Sequence, residues 1–285
     1  MDNKTVIITG ANSGIGKAAS LLFARHNCTV IMACRNIERS KQVQEEIISE
    51  SGNQDVILMR VDMSSFDSIH AFCEDYKRKF QKLDILIHNA AYFNHGEKYR
   101  LSSDHIELTF ATNTVGPFLM THLLLEPLKK SSEPKVLNAS SNIIKHFFSP
   151  KKVIAFDNLK GMVNKKLKHS VYNSYRDSKM ALVMLTFKMA ENFKEHGIRV
   201  NALQINGARM SSATLKKFKP IWRVPALVQN LFFPPAEFMA NNYFQICTSG
   251  QFSNTSGKLI NHKLEIMEAG PENPGFKDIW GASVY

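Results

Sequence analysis

Tyr175 and Lys179 stand four residues apart in the stretch "YNSYRDSKMALVMLTFKMAENFKEHG", residues 172–197. Four residues is close to one turn of helix, so on a helix the two side chains share a face. A free phenol has a pKa near 10, so roughly one in a thousand is ionised at neutral pH. A neighbouring ammonium favours the phenolate, and so does the positive charge of an oxidised nicotinamide. A tyrosine tuned in this way can give or take the proton that accompanies a hydride transfer. The pair alone is weak, because chance produces this spacing often. What decides its meaning is the rest of the chain.

The helix that would carry the pair is legible. Leu182, Leu185, Met189 and Phe193 keep helical spacing, and Gly197 stands where such a helix should stop. A second constellation opens the chain, "TVIITGANSGIG" at residues 5–16, a β-prone run that ends in three glycines. Where a parallel strand feeds a helix, free backbone N–H groups and the helix dipole make an anion site. Gly10, Gly14 and Gly16 suit the tight turn, the close approach of a pyrophosphate and the helix–strand packing. The apolar helix that follows carries Ile15, Ala18, Ala19, Leu22 and Phe23.

The second strand then selects the nucleotide. Folds that bind NAD usually place an acid near its end, about 20 residues after the glycines, for the ribose 2′-hydroxyl. Here the residues are Ala33-Cys34-Arg35-Asn36, with no acid until Glu38. Arg35 suits a 2′-phosphate, which its planar guanidinium can bind in a bidentate, charge-assisted way. NADP(H) is favoured, with NAD(H) left open.

Six strand candidates run through the chain at 5–10, 29–34, 56–62, 83–90, 135–140 and 198–205, with helix-length segments between them such as 36–51 and 65–80. The strands are nearly all apolar, as parallel strands covered on both faces are. This alternation predicts an α/β fold: one doubly wound, Rossmann-type domain over 1–285, with a central parallel sheet and a C-terminal substrate flap. The cofactor half would be about 1–140 and the catalytic and substrate part about 141–285. Two regions break the rhythm, 142–170 and the Pro-broken 208–236, and both read as irregular functional loops.

With 285 residues, 44% of them hydrophobic, the chain can bury a full core. The four cysteines, Cys28, Cys34, Cys73 and Cys247, form no CxxC pair and show no zinc-ligand spacing. They read as reduced thiols, and no metal is expected. The start MDNKTVIITG lacks the apolar core of a signal peptide, and no run approaches the roughly 20 apolar residues of a membrane span. The expected location is cytoplasmic, with peripheral contact to an intracellular membrane left open. The net charge is +11, yet apart from clusters such as 165–168 and 216–219 the basic residues are scattered, and no nucleic-acid signature accompanies them.

The glycine pattern, "HNAA" (88–91), "NTVG" (113–116), "NASS" (138–141) and the Tyr175–Lys179 pair occur in the order found in short-chain dehydrogenases/reductases. The chain resembles that family over nearly its whole length. Through "VIITGANSGIGK", "IMACRN" and "TSGKLI" it is most similar to the retinol-dehydrogenase-like branch, which includes the dehydrogenase domain of the WW-domain oxidoreductase. The resemblance implies roles. Tyr175 would be the general acid/base, and Lys179 would lower its pKa and hold the nicotinamide ribose. Ser141 would hydrogen-bond the substrate oxygen, ahead of Ser140, and Asn113 would anchor a water of the proton relay. Asp62 would meet the adenine, with Asn89 on the adjoining strand edge, and Asn12, Ser13 and Ile15 would join the glycines in the cofactor turn. Tyr172 also precedes a basic residue, Arg176, by four, but arginine cannot replace the ribose-holding lysine.

Three positions depart from the family pattern. His88-Asn89-Ala90-Ala91 replaces Asn-Asn-Ala-Gly, with crowding of the adenine or ribose edge expected at Ala91. Asn206-Gly207 replaces Pro-Gly beside the nicotinamide. Ser13 stands where many NADP-preferring members have a second basic residue, a loss that Lys17 is expected to offset in part.

Two functions follow. The first is an NADP(H)-dependent oxidoreductase acting on an apolar alcohol or carbonyl substrate, retinoid-, steroid- or lipid-like. The apolar flap from Ile221 to Phe233, with Trp222, Leu227, Leu231 and Phe232, motivates it. The second is a cofactor-binding interaction protein with weak or lost catalysis. A homodimer or homotetramer is compatible with either.

Overall fold

The structure, a computed structural model, describes residues 3–93, 98–146, 154, 159, 170–210, 215 and 220–267, without the side chains of 220–222, 229 and 232. The basic clusters at 165–168 and 216–219 and the side chains of Ile221, Trp222 and Phe232 therefore lie outside the described residues.

Seven strands among these residues form one parallel sheet: β1 (Thr5–Thr9), β2 (Thr29–Cys34), β3 (Val56–Arg60), β4 (Ile85–His88), β5 (Lys135–Ser141), β6 (Arg199–Ile205) and β7 (Leu259–Ile260). Their spatial order is β3-β2-β1-β4-β5-β6-β7. Val6, Ile7 and Ile8 of β1 are fully buried, as a central strand covered on both faces requires. β1 pairs with β2 on one side and β4 on the other, so the winding reverses there. In open α/β sheets that reversal leaves a crevice beyond the carboxyl ends of the strands, and ligands bind in it.

One face of the sheet is covered by α1 (Gly14–Arg25), α2 (Ile37–Ser51) and α9 (Ala236–Thr248), which contribute Phe23, Ile47, Tyr243 and Ile246 to the core. The other face is covered by α3 (Phe66–Lys79), α5 (Gly116–Leu123), α6 (Leu125–Lys129) and α7 (Val171–Asn192), with Phe72, Met120, Leu128 and Met189. Each such side chain, once buried, contributes about 1.5–3 kcal/mol. A short helix, α4 (Leu108–Phe110), leads into α5 through a π-helical turn, Ala111–Val115. Asn36, Ser65 and Ser170 each accept a backbone N–H at the start of α2, α3 and α7. Gly197, at φ +68°, ends the short 3₁₀ turn that follows α7.

The expected strands are present within two residues at either end. β7 was not anticipated, since two residues are too few to show a period. The larger correction concerns 208–236. Its prolines read as breakers, yet Pro220–Phe232 is a helix, α8, with Pro225 inside it. Pro220 opens the helix, where a missing N–H costs nothing. Residues 142–146 form a 3₁₀ turn, and most of the rest of 142–170 lies outside the described residues. All four cysteines are buried and free. Among the described residues no helix is long and apolar enough to cross a membrane.

Candidate active site

β1 ends in a turn whose glycines have different jobs. Gly10 and Gly14 have φ of +66° and +53°, a region that side chains disfavour. Gly14 faces open space, so a ligand can come close to the backbone there. A Cβ on Gly16 would stand 2.4 Å from the Gly10 carbonyl oxygen and 2.5 Å from Asn89 Nδ2, so helix and strand meet only because it is absent. Ser13 caps α1 through its extended backbone alone, leaving its exposed hydroxyl uncommitted to the helix. Asn12 Nδ2 donates to Ser40 Oγ at 2.9 Å, and Ser40 in turn donates to the Asn36 carbonyl at 2.7 Å. This chain fastens the glycine turn to the end of β2, where Arg35 is exposed. Lys17, expected to offset the loss at Ser13, has its Nζ 2.5 Å from Glu46 Oε2, an ion pair that ties α1 to α2.

Asp62 follows β3. Its Oδ1 accepts from Ser64 N at 2.9 Å and from Ser64 Oγ at 2.7 Å, which closes the turn into α3. Asn89 follows β4 and donates to the carbonyls of Thr9 at 2.9 Å and Gly10 at 3.3 Å. Its Oδ1 accepts from Tyr243 Oη at 3.1 Å. Tyr243, fully buried on α9, thus orients the amide that holds the β1 turn against β4. No sequence signal pointed to Tyr243.

Beyond the ends of β4, β5 and β6 lies a cleft of about 340 Å³. It brings together Ile15, Asn89, Ser141, Tyr175 and Lys179, and adds Asn206, Gly207 and Phe233; Ala91 is on its rim, and Arg35 and Asp62 are outside it. Lys179 is 2% exposed and donates to the Ala139 carbonyl at 2.7 Å. Burial lowers its pKa to about 8. Its Nζ is 5.9 Å from the centre of the Tyr175 ring, and Phe93 packs edge-on to that ring at 5.1 Å. Burial pushes the Tyr175 phenol upward, and the side chain opposing the rise is Ser141, through a hydrogen bond. In the chain by itself the phenol is therefore protonated. Ser140 also lines the cleft, and its hydroxyl donates to the main-chain carbonyl of Lys179 over a long 3.4 Å.

Asn113 is buried behind the cleft, in the π-helical turn. Turns of this kind recur at functional sites. Its Oδ1 accepts from Tyr92 N at 2.7 Å, and its Nδ2 donates to the Tyr92 carbonyl at 3.0 Å and to Ser178 Oγ at 3.1 Å. The amide is a fastener between the exit of β4 and α7.

His88 shows what the departure at "HNAA" does. The Thr121 hydroxyl donates to the Pro117 carbonyl at 2.8 Å, so it accepts from His88 Nε2–H, also at 2.8 Å. Nδ1 is then a bare acceptor, buried with no partner. Burial first, and the charge of Lys179 second, lower the His88 pKa from 6.5 to about 3. A base whose folded pKa is depressed costs the fold nothing above its unfolded pKa and destabilises it as pH falls, because the unfolded chain takes up the proton first. The loss is about 1.4 kcal/mol per pH unit below about 6.5. Thermal melts at neutral pH and at about pH 5 should therefore separate more in the native chain than in His88→Asn; equal separations would contradict this burial cost.

Asn206 Nδ2 lies 2.8 Å from His262 Nδ1, which pins the amide that replaces the family's proline. Ser141, Tyr175 and Lys179 line one cleft at the ends of parallel strands, and the chain has known relatives. The family model for short chain dehydrogenase matches residues 4–149. Retinol dehydrogenase 13 of Homo sapiens is 32% identical over 298 residues, covering 98% of this chain and 83% of that protein. Retinol dehydrogenase 11 of Homo sapiens is 34% identical over 201 residues, 70% of this chain and 59% of that one. A short chain dehydrogenase of Shigella flexneri, solved in complex with NADP, superposes with a TM-score of 0.70 at 19% identity, over 92% of this chain and 98% of that one. The chain belongs to the short-chain dehydrogenase family.

Proposed function

We propose that the chain is an NADP(H)-dependent oxidoreductase that interconverts an apolar alcohol and its aldehyde or ketone. The observation that carries this reading is the single cleft that holds Ser141, Tyr175 and Lys179 together. A dinucleotide fits the chain's own residues: the φ values of Gly10 and Gly14, the open space at Gly14 and the exposed Arg35 at the end of β2. Bound NADPH supplies the hydride. Residues up to about 140 would hold the cofactor, with Arg35 for the 2′-phosphate, Asp62 and Asn89 for the adenosine end and Lys179 for the nicotinamide ribose.

Ser141 would hold the substrate oxygen. Tyr175, kept protonated by burial, would give its Oη proton to that oxygen in reduction and take it back in oxidation. Lys179 would supply the positive charge that makes the phenolate tolerable after the proton has left.

The substrate class follows from the exposed face of α8. Val224, Leu227, Val228 and Leu231 are 65%, 47%, 52% and 73% exposed, at the i, i+3, i+4, i+7 positions of one helical stripe. Residues 208–236 contain basic residues and no acid. An apolar stripe in a basic segment suits an anionic membrane surface, from which an apolar substrate could pass to the cleft. The test is NADPH consumption with a panel of apolar aldehydes, and with NADH in its place. Turnover that rises with apolar chain length and prefers NADPH is expected. NADPH that binds and is consumed with no aldehyde would overturn the reading.

A further inference from the structure

The junction after β6 is built around one aromatic ring. Gly207 has φ +118°, where side chains are strained, and a Cβ added there would meet Cε1, Cδ1 and Cζ of Phe233 at 2.7 to 2.9 Å. The backbone of Gly207 is thus in contact with that ring. Phe233 follows α8 and is succeeded by Pro234 and Pro235, whose rings fix their own φ. Four hydrogen bonds lock this corner onto the segment that leaves β6. Arg209 donates from Nε to the Phe233 carbonyl at 3.0 Å and from its backbone N to the Pro234 carbonyl at 2.9 Å. Asn230 accepts from Met210 N at 2.6 Å and donates to the Met210 carbonyl at 3.2 Å. The fixed ring lines the same cleft of about 340 Å³ as Ser141 and Tyr175.

We propose that Phe233 sets how much bulk the cleft admits beside the substrate's carbonyl carbon, and that Arg209 and Asn230 are the positioning residues that hold it there. This rests on the oxidoreductase reading above. A wall of this kind discriminates by exclusion: the cost falls on substrates whose branches meet the ring. The glycine at 207 is then explained by its neighbour, since any side chain there would displace the wall.

The test uses two isomeric aldehydes, hexanal and 3,3-dimethylbutanal, which differ in shape and not in composition. Both the ratio of their kcat/KM values and the ratio of their Kd values, measured by calorimetry on the NADP-loaded protein, are read. Pocket shape changes of this size are worth about 10–200-fold. Phe233→Ala should lower the preference for the straight isomer about tenfold or more, and Phe233→Leu should lower it less. Asn230→Ala should move it in the same direction, and the double variant should go little further than Phe233→Ala, because the two act through one ring. The Kd for NADPH should stay within about twofold throughout. An unchanged ratio in both Phe233 variants would overturn the proposal. So would a large gain in NADPH affinity, since the ring would then occupy the nicotinamide's own space. A shifted Kd ratio without turnover of either isomer would support the role of Phe233 and overturn the oxidoreductase reading instead.

Discussion

Tyr175→Phe is expected to reduce aldehyde turnover by about 10²–10⁴-fold, the contribution typical of a positioned acid or base. The substitution keeps the ring, its edge-on contact with Phe93 and its place on α7, and removes only the oxygen. Cofactor binding should fall less than about tenfold, because one neutral hydrogen bond is worth only about 0.5–1.5 kcal/mol. The split between rate and binding is the informative part. A merely structural tyrosine would lose both together or neither. Burial holds the phenol protonated, so reduction should keep its rate through neutral pH. It should decline in the alkaline range, as Lys179 loses its proton around its pKa of about 8. Steady-state rates across pH, alongside NADPH fluorescence titrations of both proteins, check the prediction.

Arg35→Asp carries the second large effect. A charge-assisted hydrogen bond contributes about 1.5–3 kcal/mol, so losing the guanidinium should weaken NADPH about 10–150-fold. The new carboxylate would also repel the 2′-phosphate, while accepting the hydroxyls of the unphosphorylated ribose. The preference for NADPH over NADH should therefore invert. Titrating both cofactors at one fixed ionic strength is required, since screening changes exposed charge pairs. An Arg35→Asp protein that still prefers NADPH would move the 2′-phosphate to another cation.

The elements that place the site were legible where local chemistry dictated them. Gly10 and Gly14 take a backbone region that side chains disfavour, and Gly16 needs a missing Cβ, so their spacing speaks directly. Tyr175 and Lys179 share a helix face, so four residues of sequence become proximity in space. The strands of the sheet declared themselves because both faces are buried, which makes their residues uniformly apolar.

Long-range partners were not legible. Tyr243 meets Asn89 across 154 residues, and Lys17 meets Glu46 across 29, with nothing in either local pattern to pair them. The helix α8 is hidden in the sequence because prolines read as breakers, although Pro220 sits at the start, where a helix tolerates it freely. Phe233 ends the apolar flap that begins at Ile221, but only its contact with Gly207 makes it a wall and not merely an apolar residue. His88 was noticed as a departure, yet its buried, unpartnered Nδ1 follows from Thr121 and Pro117, both far along the chain.

The most direct measurement is the fate of a deuterium label carried by NADPH when an apolar aldehyde is turned over, in the native chain and in Tyr175→Phe. The expected result is alcohol that bears the label at its carbonyl-derived carbon, formed by the native chain and slowed about 10²-fold or more in the variant. Alcohol without the label, or labelled alcohol formed equally fast by both proteins, would contradict hydride transfer with Tyr175 as the acid.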